Sequence, residues 1–188
     1  MIIISKEAAP MQLQAKYVAL ALLSKQPMTG YEIKKNFEGP ISFFFEGSYG
    51  SVYPTLKNLE KEGCIEKRTI IQEDRPNKNE YSITEAGRAV LAQYYEQPVE
   101  EDNVRSDVCM RLFFGGKMDE GEMLDWIGQS RKQHEAKLSI LQGMHDQYHQ
   151  QMPKHQLLSL TIGIRYHQAK IDALLECAAM LNHHEEEK

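Results

Sequence analysis

A chain of 188 residues with 41% hydrophobic and 26% charged residues has ordinary globular composition, which excludes wholesale disorder and leaves room for one large domain or two small ones. Its three cysteines, Cys64, Cys109 and Cys177, are far apart and form no Cys-x-x-Cys pair, so neither a disulfide framework nor a zinc cluster is expected, and a reducing compartment is. The net charge of -5 does not announce a nucleic-acid partner, but its distribution is uneven: residues 1–98 hold 12 Lys and Arg against 12 Asp and Glu, and residues 99–188 hold 10 against 15.

The opening MIIISKEAAP has too short an apolar stretch and no basic n-region for a signal peptide, and no apolar run reaches the roughly 18 residues of a membrane span. Residues 1–12 are therefore expected to be a flexible extension, and the protein soluble, cytoplasmic and without a membrane partner. Residues 14–24 predict a short buried helix ending before Pro27. Thr29 and Glu32 then form a Thr-x-x-Glu capping box, with Met28 and Ile33 at the positions of a hydrophobic staple. The helix they start is stopped by Gly39-Pro40. Phe43, Phe44 and Phe45 follow, too apolar for free solvent and expected beneath the third helix.

That third helix lies within SYGSVYPTLKNLEKEG, and Pro54, tolerated only in a first turn, sets its start near Ser48 to Ser51. Wound at about 100° per residue, Val52, Leu56 and Leu59 share one side. The opposite arc carries Ser51, Tyr53, Pro54, Lys57, Asn58 and Lys61 and no carboxylate, with Glu60 and Glu62 at its margins. A helix sorted this way can rest on a core and push donors and two ammonium groups into a nucleic-acid groove. After Gly63, the segment Ile65 to Ile71 and the alternation around Tyr81 and Ile83 predict a hairpin whose tip, Gln72 to Asn79, holds Arg75, Pro76 and Lys78. A further helix is predicted from Thr84 or Glu85. Three helices and a two-stranded wing make a winged helix-turn-helix over residues 1–98.

A polar break at Gln97 to Asn103 separates the halves, and residues 99–188 read as helical throughout. Val104 to Phe114 form one segment closed by Gly115-Gly116. Between about Asp119 and Gln151, Leu124, Ile127, Arg131, His134, Leu138, Leu141, His145, Tyr148 and Met152 follow a 3,4 spacing. After Pro153 the same spacing runs through Leu157, Leu160, Ile164, His167, Ile171, Leu174, Ala178 and Leu181. Two helices of roughly 45 Å each, at 1.5 Å per residue, make a long antiparallel hairpin. Its apolar faces are too wide for the two helices to cover alone, so a second subunit is expected on them. Leu157, Leu160, Ile164, His167, Ile171, Leu174 and Leu181 are the candidate dimerisation residues.

PMTGYEIKKNFE, GSVYPTLKNLEKEGCIEKR and YSITEAGRAVL resemble the PadR family of bacterial transcriptional regulators across nearly all of residues 13–95. RSDVCMRLFFGG, the long helices and LTIGIRYHQAKIDALLECAAML resemble the extended C-terminal domain first known from virulence gene activators of that family. The resemblance implies a mainly α homodimer joined by its C-terminal helices, with two recognition helices facing successive major grooves of double-stranded DNA. Carried over by position, it puts recognition-helix contacts on Ser48, Tyr49, Ser51, Tyr53 and Lys57 and wing contacts on Arg75 and Lys78. The outward arc adds Asn58 and Lys61. The chain departs from the family pattern in its extra residues before about Pro10 and in an acidic pair, Glu73 and Asp74, at the wing tip.

Lys57 and Lys61 suit phosphate; Ser51, Tyr53 and Asn58 can reach base edges. Lys34 and Lys35 are equally explained as backbone contacts or as a solvated helix face. His134, His145, His149, His155, His167, His183 and His184 crowd the second half. His145 and His149 share a helical face, but no third ligand accompanies them, and no metal or other cofactor is expected. His134 and His167 lie in the seams, where protonation near neutral pH can bias a dimer contact. Trp126, Phe113, Phe114, Tyr148 and Tyr166 read first as core, with a pocket for a small aromatic effector, a ligand class the resemblance brings, as the sharper alternative. Cys64 reads as buried rather than reactive. No phosphate loop, nucleophile elbow or metalloprotease helix is present, so no enzyme is expected. A winged-helix module that binds another protein and no DNA is the alternative to a sequence-specific regulator acting on a palindromic operator.

Overall fold

The computed structural model describes residues 15–43, 52–71, 77–102 and 105–185. The chain is mainly helical and divides into two units, Met1–Asp102 and Asn103–Lys188.

In the first unit α1 (Ala15–Leu23) is so apolar that Tyr17, Ala19, Leu20, Leu22 and Leu23 are all buried. α2 (Gly30–Glu38) begins at the expected box: Thr29 accepts from the Glu32 N–H, and the Glu32 carboxylate accepts from the Thr29 N–H at 2.7 Å and from its hydroxyl at 2.8 Å. These bonds and the neighbouring Lys78 hold the Glu32 carboxyl below the usual carboxylate range, the Thr29 backbone bond contributing most. A short 3-10 turn covers Pro40–Phe43, and Ile41 packs on the core. Phe44 and Phe45, and the side chain of Phe43, lie outside the described residues.

α3 (Val52–Lys61) ends in a Schellman turn: the Cys64 N–H donates to the Leu59 carbonyl, the Gly63 N–H to that of Glu60, and Gly63 takes a left-handed φ of 69°. β2 (Ile65–Ile70) and β3 (Lys78–Ile83) form the expected hairpin, with Ile65 opposite Ile83 and Ile70 opposite Lys78. Among the described residues the sheet has three strands rather than two. β1 (Met28–Thr29) pairs antiparallel with β3 through Met28 and Tyr81, giving the order β1-β3-β2. Met28 and Ile33, read as a staple, sit in one buried cluster with Leu20, Leu23, Val52, Leu56, Leu59 and Ile65. α4 (Glu85–Glu96) is capped by Thr84, and its Tyr94 ring stacks on Tyr17 at 4.5 Å between centroids.

In the second unit α5 (Asp107–Phe114) starts three residues later than Val104, because the Ser106 hydroxyl caps it. Asp119 and Glu122 form a second capping box at the head of α6 (Glu120–Tyr148), and α7 (Lys154–Glu185) follows the turn at Pro153. α6 and α7 pack as the expected hairpin, burying Leu138, Leu141, Leu160, His167 and Ile171. Val108 of α5 joins Ile127 and Leu174 in a small core flanked by Leu112, Trp126, Ala178 and Leu181. No helix among the described residues is long and apolar enough to cross a membrane.

Candidate nucleic-acid interface

α3 is sorted as its sequence requires. Val52, Leu56 and Leu59 are each 1% exposed, whereas Tyr53, Lys57, Asn58 and Lys61 are open to solvent. Glu60, at the margin of that arc, is drawn aside: its carboxylate pairs with Lys67 of β2 at 3.1 Å. The outer face of the helix thus offers a phenol, an amide and two ammonium groups with no competing anion among them. An exposed ion pair such as Glu60–Lys67 adds little stability, but it fixes where the negative charge sits.

Lys78 is exposed, though it stands at the first residue of β3 rather than in the hairpin tip where the sequence put it. It is held there by pairing opposite Ile70 and lies close enough to Glu32 to favour that carboxylate. Ser48, Tyr49, Ser51 and Arg75 lie outside the described residues, as do Glu73 and Asp74. Arg68, exposed on β2 and opposite Glu80, is a wing cation the sequence reading passed over. Its signal was the run Lys67-Arg68 on a strand with only Ile65 buried. Lys34 is engaged with Glu38 at 3.4 Å on α2, and Lys35 is exposed.

In the second unit the candidate dimerisation residues fall into two groups. Leu160, His167, Ile171 and Leu174 are buried within the single chain, while Leu157, Ile164 and Leu181 are half-buried. Beside them a row of α7 residues, Leu158, Ile162 and Tyr166, stays exposed at successive i, i+4 positions. The reading of the aromatics as core needs correction. Trp126 packs in the small core, with the Arg111 guanidinium 5.6 Å from its ring, but Phe113 and Phe114 are 82% and 73% exposed, and Tyr148 and Tyr166 are open as well. α5 is only about two turns long, and its inner face is filled by Val108 and Leu112.

Among the described residues no group of three or more His, Cys, Asp or Glu is placed to hold a metal ion. His145 and His149 stack, 4.9 Å between centroids, and His149 Nδ1 bonds to the His145 carbonyl. The side chains of His183 and His184 lie outside the described residues. Cys64 is buried, and burial followed by the nearby Glu62 pushes its thiol above the ordinary range.

The sequence matches two family models in tandem: the transcriptional regulator PadR-like family over residues 19–93, and the virulence activator alpha C-terminal family over residues 104–182. It is 32% identical over 133 residues to the negative transcriptional regulator PadR of Bacillus subtilis, spanning 70% of this chain and 72% of that one. The fold is similar to the crystal structure of the PadR-like regulator BC1756 from Bacillus cereus, with a TM-score of 0.79 and 34% identity over 90% of this chain and 98% of that one. It is also similar to the B. subtilis PadR solved with operator DNA (TM-score 0.77, 28% identity, 88% and 98% covered) and with p-coumaric acid (TM-score 0.72, 26% identity, 90% and 99% covered). With both halves matched in order and a relative this similar over most of its length, the chain belongs to the PadR-like family of transcriptional regulators.

Proposed function

We propose that this chain is a homodimeric, sequence-specific DNA-binding regulator acting in the cytoplasm, which grips a palindromic operator through the outward face of α3. Residues 1–98 are the DNA-binding domain and residues 99–188 the dimerisation and effector domain. The observation that carries the reading is the sorting of α3: three aliphatic side chains anchored beneath, and Tyr53, Lys57, Asn58 and Lys61 exposed with Glu60 held away by Lys67. Lys57 and Lys61 neutralise phosphate, Tyr53 and Asn58 reach base edges, and Lys78 flanks them from the wing. Ser48, Tyr49, Ser51 and Arg75 complete the contact set by their positions in the family motif. A two-fold dimer presents two such helices to half-sites about one turn, or 34 Å, apart.

The exposed row Leu158, Ile162 and Tyr166 with the half-buried Leu157 and Ile164 supports a second copy on the α7 face. The complex of the B. subtilis relative with p-coumaric acid supports a small aromatic effector here too, with Phe113, Phe114 and Trp126 as the aromatic surface that receives it. Packing of the C-terminal helices then sets the separation of the recognition helices, and the effector acts by population shift between dimer geometries.

The test is operator binding by Tyr53→Ala and Lys57→Ala chains, with light scattering to confirm twice the 21.7 kDa chain mass. Lys57→Ala is expected to lower the salt dependence of binding by about one counterion, and Tyr53→Ala to weaken binding about tenfold. Both variants binding as tightly as the wild type would exclude this face. Quenching of the single tryptophan, Trp126, by p-coumaric acid tests the effector surface.

A further inference from the structure

We infer that Gly30 is a positioning residue for DNA recognition, acting through the ring of Tyr53. The inference rests on the DNA-facing reading of α3. Gly30 opens α2 and is buried although it has no side chain. A Cβ at this position would stand 2.9 Å from Tyr53 Cε1 and 3.6 Å from its Cζ, and 3.7 Å from Leu56 Cδ1. The last distance is ordinary contact, so the fixed neighbour Leu56 would accept a methyl group. The Tyr53 ring would not.

Backbone geometry does not call for glycine here, since the positive φ among the described glycines belongs to Gly63. Alanine would be the better helix former. What stands against a methyl is the ring seated on the bare first turn of α2. That turn is itself held by the Thr29–Glu32 box, so the seat is rigid. Tyr53 is nonetheless 56% exposed, so its ring is free to swing outward when displaced, and the core need not open. Gly30 therefore sets the direction in which the phenol leaves α3 and keeps the ring ordered before the duplex arrives.

The experiment is a double-mutant cycle on the full chain with Gly30→Ala, Tyr53→Ala and the combination. The probe is a fluorescein-labelled duplex selected from a random library with the wild-type chain, read by anisotropy alongside the thermal midpoint of each variant. Tyr53→Ala is expected to weaken binding about tenfold. Gly30→Ala should weaken it roughly three- to tenfold in the wild-type background and not at all in the Tyr53→Ala background, where it should also raise the melting midpoint. A Gly30→Ala chain that binds like wild type while Tyr53→Ala is weakened overturns the positioning role and leaves the α3 reading standing. An equal loss in both backgrounds overturns it too, since Gly30 would then act without the ring. Tyr53→Ala binding like wild type removes both. Should Gly30→Ala fail to fold, the combined variant decides: folding as stably as Tyr53→Ala assigns the fault to the ring, and failing to fold makes Gly30 a requirement of the fold and ends the inference.

Discussion

His134 and His167 face each other across the seam between α6 and α7 with their Nδ1 atoms 2.8 Å apart. A bond between these two atoms needs one ring to donate Nδ1–H and the other to accept there, so the rings hold opposite tautomers. If both Nδ1 atoms carried a proton, the bond would be replaced by repulsion. The surroundings oppose protonation. Burial, then His134 and Lys137, push His167 down to about 4, and burial, then Lys137 and Lys170, push His134 down as well. Lys137 faces the pair from α6 and Lys170 from α7. The Tyr166 ring lies 6.2 Å from His134 between centroids.

Stability should accordingly fall with acid. An unfolded histidine binds its proton near 6.5, and folded His167 only at about 4. Between those values the unfolded chain holds the extra proton, so the contribution is complete above about 6.5 and lost as the pH falls to about 4. A seam one side chain deep is partly screened by water, so the loss is about 1–2 kcal/mol. Urea unfolding of the full chain followed by Trp126 fluorescence across that range checks it. His167→Leu should flatten the dependence, and a wild-type midpoint that does not move with pH would contradict the arrangement.

Removing the cap of α2 should destabilise the first unit. Thr29→Ala deletes the hydroxyl that accepts from the Glu32 N–H and leaves the carboxylate with only the backbone bond, at a loss of about 1 kcal/mol. Chemical denaturation should show a lower midpoint with an unchanged slope.

The cysteines should react in a fixed order. Hydrogen bonding to Ser106, together with Lys170 at 3.5 Å, lowers the Cys109 thiol below its ordinary range, and Cys109 is exposed. Cys64 is buried and raised. Iodoacetamide in native buffer should alkylate Cys109 well ahead of Cys64, and Ser106→Ala should slow it. Mass spectrometry of timed digests reads the order, and early labelling of Cys64 would refute it.

The features legible in the sequence were those set by neighbours along the chain. Thr29 with Glu32, Gly63, Thr84 and Pro153 bound helices within a residue or two of where they were expected to, because a cap or a breaker acts within one turn. The strand Met28–Thr29 was not legible. Two residues carry no period, and what makes them a strand is Tyr81, 53 residues away. Lys78 was misplaced for a similar reason, since the end of a hairpin ladder is decided by its partner Ile70. Phe113 and Phe114 look like core by type, yet on so short a helix Val108 and Leu112 already fill the inner side. At the candidate interface the outward arc of α3 follows from its period. The seat of Tyr53 on Gly30 does not, because it joins two helices.

The chain passes from the last residue of α3, Lys61, to the first of β2, Ile65, through Glu62, Gly63 and Cys64 alone. So tight a splice, braced by Glu60 on Lys67, leaves no slack by which a pull on the hairpin could be absorbed before reaching the helix. Helix and hairpin are therefore geared together, and a change that lengthened the splice by even one residue would let one turn without the other.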